Sequence, residues 1–375
     1  MSKIEEMIKR LCPKGVERVS LQDCCDAIFS GGTPLTSHKE YYDGNIPWIR
    51  SGEIDFNRIY EADRNITIEG LGNSSAKMIR PKSVVMAMTG ATVAKVATIE
   101  VEVSANQSVC ALEPKDCLNY RYLFFYLVDN YHQLKSSAQG ALTSLNLQRI
   151  KKIEIPIPDL SIQREIVSVL DSFTTLIDKM KQEVVLRKKQ MENYRGMVFA
   201  KYKGEVQKME NFVLLKAGKT ISSSELSEIP NSEHRFKCYG GNGIRGYASN
   251  FIYEGNYAII GRQGALCGSV NWVNEKFYAT EHAVICFPKP NVESRFLYWL
   301  FVNSNLNQYK SQGAQPGLAV SRLNELCFPI PSISTQRSIV STLDAFEQYI
   351  SKLERLITLR EKQYAYYREK LLTFE

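Results

Sequence analysis

Residues 261–264 read Gly-Arg-Gln-Gly. An arginine offers paired donors that match guanine O6 and N7, and a glutamine offers a donor and an acceptor that match adenine N7 and N6, so Arg262-Gln263 has the chemistry of base recognition in a major groove. Gly261 and Gly264 on either side allow close backbone approach. Groups suited to breaking bonds are missing from the sequence. Glu281-His282 could exchange a proton, but an isolated Glu-His pair is usually structural or binding. The four histidines, His38, His132, His234 and His282, have no metal-ligand spacing, and no C-x-x-C pair exists to hold zinc or cycle electrons. There is no G-x-x-x-x-G-K-[ST] phosphate loop. No N-P-P-aromatic or D-P-P-aromatic tetrapeptide and no glycine-rich fingerprint after a strand is present, as an amino-methyltransferase would need for its cofactor and target base. Gly240-Gly241-Asn242-Gly243 reads as a tight loop and not as a cofactor cradle. Nothing supports a diffuse nuclease site of scattered carboxylates.

The elements that would carry such residues occur twice. Residues 156–195 and 329–368 align without a gap at a shift of 173, with 20 of 40 positions identical, among them Gln163/Gln336, Arg164/Arg337 and Asp171/Asp344. A period this long is a whole unit used twice and not a solenoid repeat. Two related surfaces suit a partner with its own near-twofold symmetry, such as duplex DNA. Each copy opens on a pair of prolines (Pro156 and Pro158, Pro329 and Pro331) that end the preceding strand. Ser161 and Ser334 are the expected helix N-caps. Beyond them an alternating four-and-three spacing gives a heptad seam: Ile166, Leu170, Phe173, Ile177, Met180, Val184, Arg187, Met191, Tyr194 and Val198 in one copy, and Ile339, Leu343, Phe346, Ile350, Leu353, Ile357, Arg360, Tyr364, Tyr367 and Leu371 in the other. The two helices are expected to pack on each other as an antiparallel coiled coil, with Arg187 and Arg360 setting register. Each seam spans roughly 50 Å at about 1.5 Å per residue. Gly196, in the first copy only, should loosen that helix.

Weaker matches link the globular parts. Pro114-Lys115 and Arg121-Tyr122-Leu123 recur as Pro288-Lys289 and Arg295-Phe296-Leu297, and Gly90-Ala91 recurs as Gly264-Ala265. Residues 14–80 and 206–250 share little. The fold class is therefore α+β: two similar β-rich domains separated by two long helices, related by an internal pseudo-twofold. The expected boundaries are 1–13 for a short helix, 14–155 for the first domain, 156–204 for the first long helix, 205–328 for the second domain and 329–375 for the second helix. Strands are expected at Ser83–Met88, Val93–Ile99, Val109–Leu112, Tyr257–Gly261, Ser269–Val273 and Ala283–Phe287. Helices are expected at Tyr120–Leu134 and Glu293–Tyr309.

Composition bounds the function. The 375 residues are 44% apolar and 23% charged, ordinary for a globular protein of two or three domains. No apolar run approaches the length of a membrane span, and the opening SKIEEMIKRL is an amphipathic helix instead of a signal peptide. Nine scattered cysteines fit reduced, mostly buried thiols in a cytoplasm. The net charge of +7 is spread thinly: residues 1–154 carry 19 Lys+Arg against 18 Asp+Glu, and residues 205–327 carry 12 against 10. Charge alone does not demonstrate nucleic-acid binding. Bound DNA would require clustering of the cations on one face or a partner that supplies phosphate contacts.

Three motifs in order carry a resemblance. They are the doubled I-P-x-P-x-x-x-x-Q-[RK] at Ile155–Arg164 and, with Phe328 replacing isoleucine, Phe328–Arg337; Gly31-Gly32-Thr33-Pro34 followed by Asn45-Ile46-Pro47-Trp48-Ile49; and Gly261-Arg262-Gln263-Gly264-Ala265 followed by Thr280-Glu281-His282-Ala283. On these the chain resembles, over essentially its full length, the specificity subunit of type I restriction-modification systems. The resemblance implies a non-catalytic recognition subunit whose two target-recognition domains each read one half of a split double-stranded DNA sequence. It implies that the two helices dock two methyltransferase subunits, that S-adenosylmethionine is held by those partners and not by this chain, and that a separate motor-nuclease subunit adds restriction. A protein-interaction adaptor that never touches DNA is the alternative, and a self-contained DNA-modifying enzyme a second one. Salt-sensitive DNA binding separates the first and activity without partners the second.

Polar or aromatic residues on loops are the candidate base readers. In the first domain they are Thr33, Trp48, Arg50, Ser51, Thr89, Thr92, Asn106 and Gln107, and in the second Lys219, Asn242, Arg245, Arg262, Gln263 and His282. Trp48 after Pro47 fits a core position equally well. Identity off the seam, at Asp171/Asp344, Lys189/Lys362 and Gln190/Gln363, marks the candidate partner-binding residues.

Overall fold

Asp159 and Ser332 start the long helices, two residues before the expected caps Ser161 and Ser334. The Asp159 carboxylate accepts from the Ser161 backbone N–H at 2.8 Å, and the Ser332 hydroxyl accepts from the Thr335 N–H at 3.4 Å. Each cap directly follows the second proline of its pair, whose rigid, extended backbone presents the capping side chain to the first turn. The helices then run without a break over Leu160–Lys201 and Ile333–Leu372, with Gly196 inside the first.

The computed structural model describes residues 3–138, 144–202, 204–264, 266–311 and 316–374. The chain divides into two compact units, Met1–Lys179 with Ile357–Glu375, and Met180–Leu356. The first unit contains helix α1 (Lys3–Leu11) and a sheet built from β1 (Cys25–Ser30), β3 (Ser83–Ala87), β4 (Val96–Ile99) and β6 (Val109–Pro114). These four pair antiparallel in the order β1-β6-β3-β4, and the two-residue strand Arg58–Ile59 adds to β4 in parallel. A second sheet pairs β2 (Tyr42–Ile49) in parallel with β5 (Val103–Ala105). Helix α2 (Tyr120–Asp129) covers the first sheet, and the long helix α3 (Leu160–Lys201) follows.

The second unit repeats this plan. Strands β7 (Val213–Ala217), β10 (Tyr257–Gly261), β11 (Val270–Val273) and β13 (Ala283–Pro288) pair antiparallel in the order β7-β13-β10-β11. Strand β8 (Phe236–Gly240) runs parallel to β12 (Lys276–Ala279) and antiparallel to β9 (Gly243–Ala248), turning at the glycine-rich loop. Helix α4 (Ser294–Asn303) covers the sheet, and the long helix α5 (Ile333–Leu372) follows. The two expected helices Tyr120–Leu134 and Glu293–Tyr309 are both interrupted: the first restarts after Asn130, and the second gives way to a short 3-10 turn after Asn305, which sits at φ 44°. The expected strand Val93–Ile99 begins only at Val96, because Ala94 turns with φ 65°.

The apolar seam packs as its spacing requires. In the first unit Ile166 and Leu170 join Tyr122, Leu123 and Phe125 in one core with Tyr364 and Leu372 from the far end of α5, and Phe173 stacks on Tyr367 with ring centres 5.5 Å apart. In the second unit Tyr194 packs on Phe346 at 5.8 Å, and Lys188 pairs with Glu354 at 2.8 Å. Rising numbers on α3 meet falling numbers on α5 in both units, so the helices are antiparallel. Helix α1 rests against the end of α5, with Glu5 3.3 Å from Lys370.

The repeated glutamines clamp helix to domain. Gln163 and Gln336 are fully buried. The Gln163 Oε1 accepts from Asn119 N–H at 2.8 Å, and its Nε2 donates to the carbonyls of Cys117 and Pro158 at 2.9 and 2.8 Å. Gln336 does the same for Glu293 N–H at 2.8 Å and for Asn291 and Pro331 at 3.2 and 2.8 Å. Without the amide, three backbone groups at each joint would lose these partners, and a polar group left unsatisfied where water cannot reach costs about 1–3 kcal/mol.

Candidate nucleic-acid interface

The candidate readers of the first domain lie on loops joined by four backbone hydrogen bonds. Gly31 N–H donates to Val109 O at 3.0 Å, Gly32 to Ala105 O at 2.8 Å, Asn106 to Ile49 O at 3.0 Å, and Met88 to Ser108 O at 2.8 Å. The second domain has the same four: Gly218 to Ala283 O at 3.0 Å, Lys219 to Ala279 O at 2.8 Å, Thr280 to Tyr239 O at 2.8 Å, and Arg262 to His282 O at 2.9 Å. The turns agree further. Asn106 Oδ1 accepts from Ser108 N–H at 3.2 Å, and Thr280 Oγ1 accepts from His282 N–H at 3.2 Å. Gly90 and Gly264 both have positive φ, 76° and 89°. The glycine after the first core strand cannot be replaced in either domain. A Cβ on Gly31 would stand 2.1 Å from the Ala105 carbonyl oxygen, and one on Gly218 would stand 2.0 Å from that of Ala279.

This frame equates Met88 with Arg262, Thr89 with Gln263, Asn106 with Thr280, Gln107 with Glu281, Ser108 with His282 and Gly32 with Lys219. Residues 14–80 and 206–250, which share little sequence, nonetheless share architecture. They share a parallel strand, β2 or β8, that delivers the next loop to the same rim.

In the first domain Thr33 hydrogen-bonds Gln107 through its hydroxyl. The Arg50 N–H donates to Glu53 Oε1 at 2.8 Å, and the guanidinium lies 3.6 Å from Glu53 and 3.7 Å from Asp63, so its charge is already partly neutralised within the chain. Ser51 begins the short turn after Arg50, and Thr92 ends the turn that follows Gly90. Thr89 bridges to Ser144. Trp48 is a correction: it is buried, its indole N–H donates to the Gly32 carbonyl at 3.0 Å, and its ring meets Tyr42 edge-on. It props the Gly31-Gly32 loop and has no free edge for a base.

In the second domain Asn242, Arg245, Gln263 and His282 line one cleft of about 610 Å³ with the Gly240–Gly243 turn. Arg245 is anchored by the Ser223 hydroxyl at 2.8 Å. Lys219 is exposed one residue beyond Gly218. Arg262 is half-buried beside the cleft, and its Nε has no hydrogen-bond partner among the described residues. Ala265, which completes the glycine motif, lies outside the described residues. The buried Cys238 thiol is pushed up to about 11, chiefly by burial, with the Arg245 and Glu281 charges acting on it in opposite senses. No group of three or more His, Cys, Asp or Glu among the described residues could hold a metal ion.

On the helices, Asp171 and Asp344 are not free for a partner. Asp171 pairs with Arg58 at 2.8 Å and with the buried Arg121, while Asp344 accepts from Arg295 Nε at 2.8 Å and Trp299 Nε1 at 2.7 Å. Their identity is explained inside the chain, since Arg121 and Arg295 are themselves repeated. Gln190 and Gln363 accept from the seam arginines Arg187 and Arg360 at 2.7 and 2.8 Å. Lys189 and Lys362 are exposed. Position-matched apolar pairs also face solvent: Leu176 with Tyr349, and Leu186 with Leu359. Identity off the seam would have marked Leu186/Leu359 as well, whereas Leu176 and Tyr349 differ and only their exposure reveals them. Ser108 and Glu281, neither of them among the candidate base readers, are likewise rim residues. Asn106–Val109 and Thr280–Ala283 share no identical residue, so only the shift carried by Gly90/Gly264 could have aligned them.

The type I restriction modification DNA specificity domain, as a family pattern, matches residues 13–186 and again 201–361. The chain is 34% identical over 339 residues to the specificity subunit of the type I restriction enzyme EcoprrI of Escherichia coli, covering 85% of this chain and 84% of that protein. It is 25% identical over 386 residues to the MjaIX specificity subunit of Methanocaldococcus jannaschii, covering 89% and 88%. Its fold is similar to the crystal structure of the type I restriction-modification S subunit from M. genitalium, with a TM-score of 0.65 over 95% of this chain and 96% of that one at 15% identity.

Proposed function

The chain belongs to the type I restriction-modification DNA specificity family, and from that premise we propose that its two β-rich domains each read one half of a split, asymmetric DNA target while its long helices dock two methyltransferase subunits. As a specificity subunit it is the non-catalytic recognition component. The observation that carries the proposal is the pair of matched rims: the same four backbone hydrogen bonds hold different side chains in the two domains. A common frame with different readers suits two different half-sites. The modest net charge of +7 leaves much of the phosphate contact to the partners. S-adenosylmethionine would be held by those partners, and a motor-nuclease subunit would add cleavage. A cytoplasmic setting agrees with nine free cysteines. No helix among the described residues is long and apolar enough to cross a membrane.

Mapping methylated adenines in DNA exposed to the assembled complex tests the reading. Arg262→Ala is expected to cost about 1–3 kcal/mol on the second half-site and leave the first unchanged. Equal loss on specific and random DNA would make Arg262 a phosphate contact. DNA binding that is absent at low salt would return the chain to the adaptor reading.

The docking surface rests on exposed, repeated positions: Leu176/Tyr349, Leu186/Leu359 and Lys189/Lys362. Packing within the chain does not require them, whereas one partner bound twice would. The mass of the complex at saturating methyltransferase subunit should correspond to two partners per chain, and one partner per chain would refute the repeated docking surface.

A further inference from the structure

Glu281 is the one acidic side chain in the turn that ends the second domain's rim. Its counterpart in the first domain, Gln107, is held by the Thr33 hydroxyl. Glu281 is held only by its neighbour: Oε1 lies 3.3 Å from His282 Nε2, while Oε2 is buried and has no partner among the described residues. The side chain is about one-third exposed, 35%, so a base edge can reach the carboxylate, and rotation about its last bond exchanges the two oxygens. The backbone of the turn leaves it no other duty. Thr280, His282 and Ala283 N–H groups are satisfied by Tyr239 O, Thr280 Oγ1 and Thr280 O.

A carboxylate on a DNA-facing rim is repelled by phosphates. It gains only where a donor is presented, and the donors on the major-groove edges are the amino groups of cytosine N4 and adenine N6. The keto oxygens of guanine and thymine would face it acceptor to acceptor, so the same group that accepts one pair of bases rejects the other. We propose that Glu281, oriented by His282, is a specificity-determining residue of the second domain that selects an amino-bearing base, cytosine or adenine, at one position of its half-site. This rests on the DNA-reading function proposed above.

The test uses the full complex of this chain with its methyltransferase subunits. Methylation sites are mapped for the unaltered chain and for Glu281→Gln, which keeps the shape and removes the charge. A duplex panel carries each base at each position of the second half-site. The expected result is a discrimination against guanine or thymine that falls about ten- to a hundredfold at a single position, with the first half-site read as before. An unchanged pattern, or a change spread evenly over all positions, would overturn the proposal. If Glu281→Gln abolished methylation, competition binding with the same panel decides: lost discrimination at one position supports the role, and uniform loss overturns it. Failure of the unaltered complex to recognise a split target would instead refute the parent reading and is seen before any substitution is made.

Discussion

Seven residues inserted into α3 alone, between Phe173 and Tyr194, are expected to abolish assembly of the complex, whereas matched insertions in both long helices should preserve it. Phe173 meets Tyr367 in the first unit and Tyr194 meets Phe346 in the second. The aromatic positions are 21 residues apart on each helix, three heptads on both. A one-sided insertion keeps the heptad phase but makes the lengths unequal. One set of contacts must then be given up, and burial worth about 1.5–3 kcal/mol per large apolar side chain is lost over several seam residues. Matched insertions keep both sets. Each heptad adds roughly 10 Å of helix at about 1.5 Å per residue, or about three base pairs at roughly 3.4 Å each. If the helices set the distance between half-sites, methylation maps of the double-insertion protein should show a longer unread spacer. A spacer of unchanged length would mean that the methyltransferase subunits, by their grip on DNA, fix the spacing.

Asp171→Ala is expected to lower stability by about 3–5 kcal/mol, a large fraction of what holds a domain folded. Arg121 is almost fully buried over the rings of Phe124 and Phe125, and Asp171 is its anionic partner. Removing the carboxylate leaves a guanidinium charge in an apolar site. Asp344→Ala should cost less, because Arg295 keeps Glu347. Chemical denaturation of the isolated chain reads the difference as an earlier first transition. The alternative, a carboxylate that serves a docked partner, predicts an unchanged denaturation curve and weaker methyltransferase binding.

What could be read from the sequence depended on whether the information lay in side-chain periodicity or in backbone pairing. The heptad seam, with its two aromatic contacts and its arginines, was legible because apolar spacing survives in the residues themselves. The strands Tyr257–Gly261 and Val109–Leu112 were legible as short apolar runs. The helix caps were misplaced by two residues, since Asp159 and Ser332 differ while Ser161 and Ser334 agree, and identity drew attention to the wrong pair. Identity also misled at Asp171 and Asp344, where an interior salt bridge recurs because its arginine recurs. The equivalence of the two rims was not legible. It resides in N–H and carbonyl groups that every residue carries, so Asn106–Val109 and Thr280–Ala283 adopt one conformation without sharing a residue. The cleft around Asn242, Arg245, Gln263 and His282 is half-legible: the chemistry of these residues is in the sequence, and only the strand pairing shows that they converge.

The rims are tied by main-chain atoms, with Gly31 and Gly218 as the points where a side chain cannot be added. Asn106, Thr280 and Trp48 lend side-chain atoms to the frame, whereas positions such as Gln263 and Lys219 are exposed and leave it untouched. Substitutions at such surface positions typically shift stability by no more than about 0.5 kcal/mol. If the rims read DNA as proposed, a lineage could therefore move from one target to another by single replacements, each intermediate remaining folded and able to assemble. Two domains with the same frame could then drift independently, so that one reading surface, duplicated, would yield a product of two repertoires in place of one.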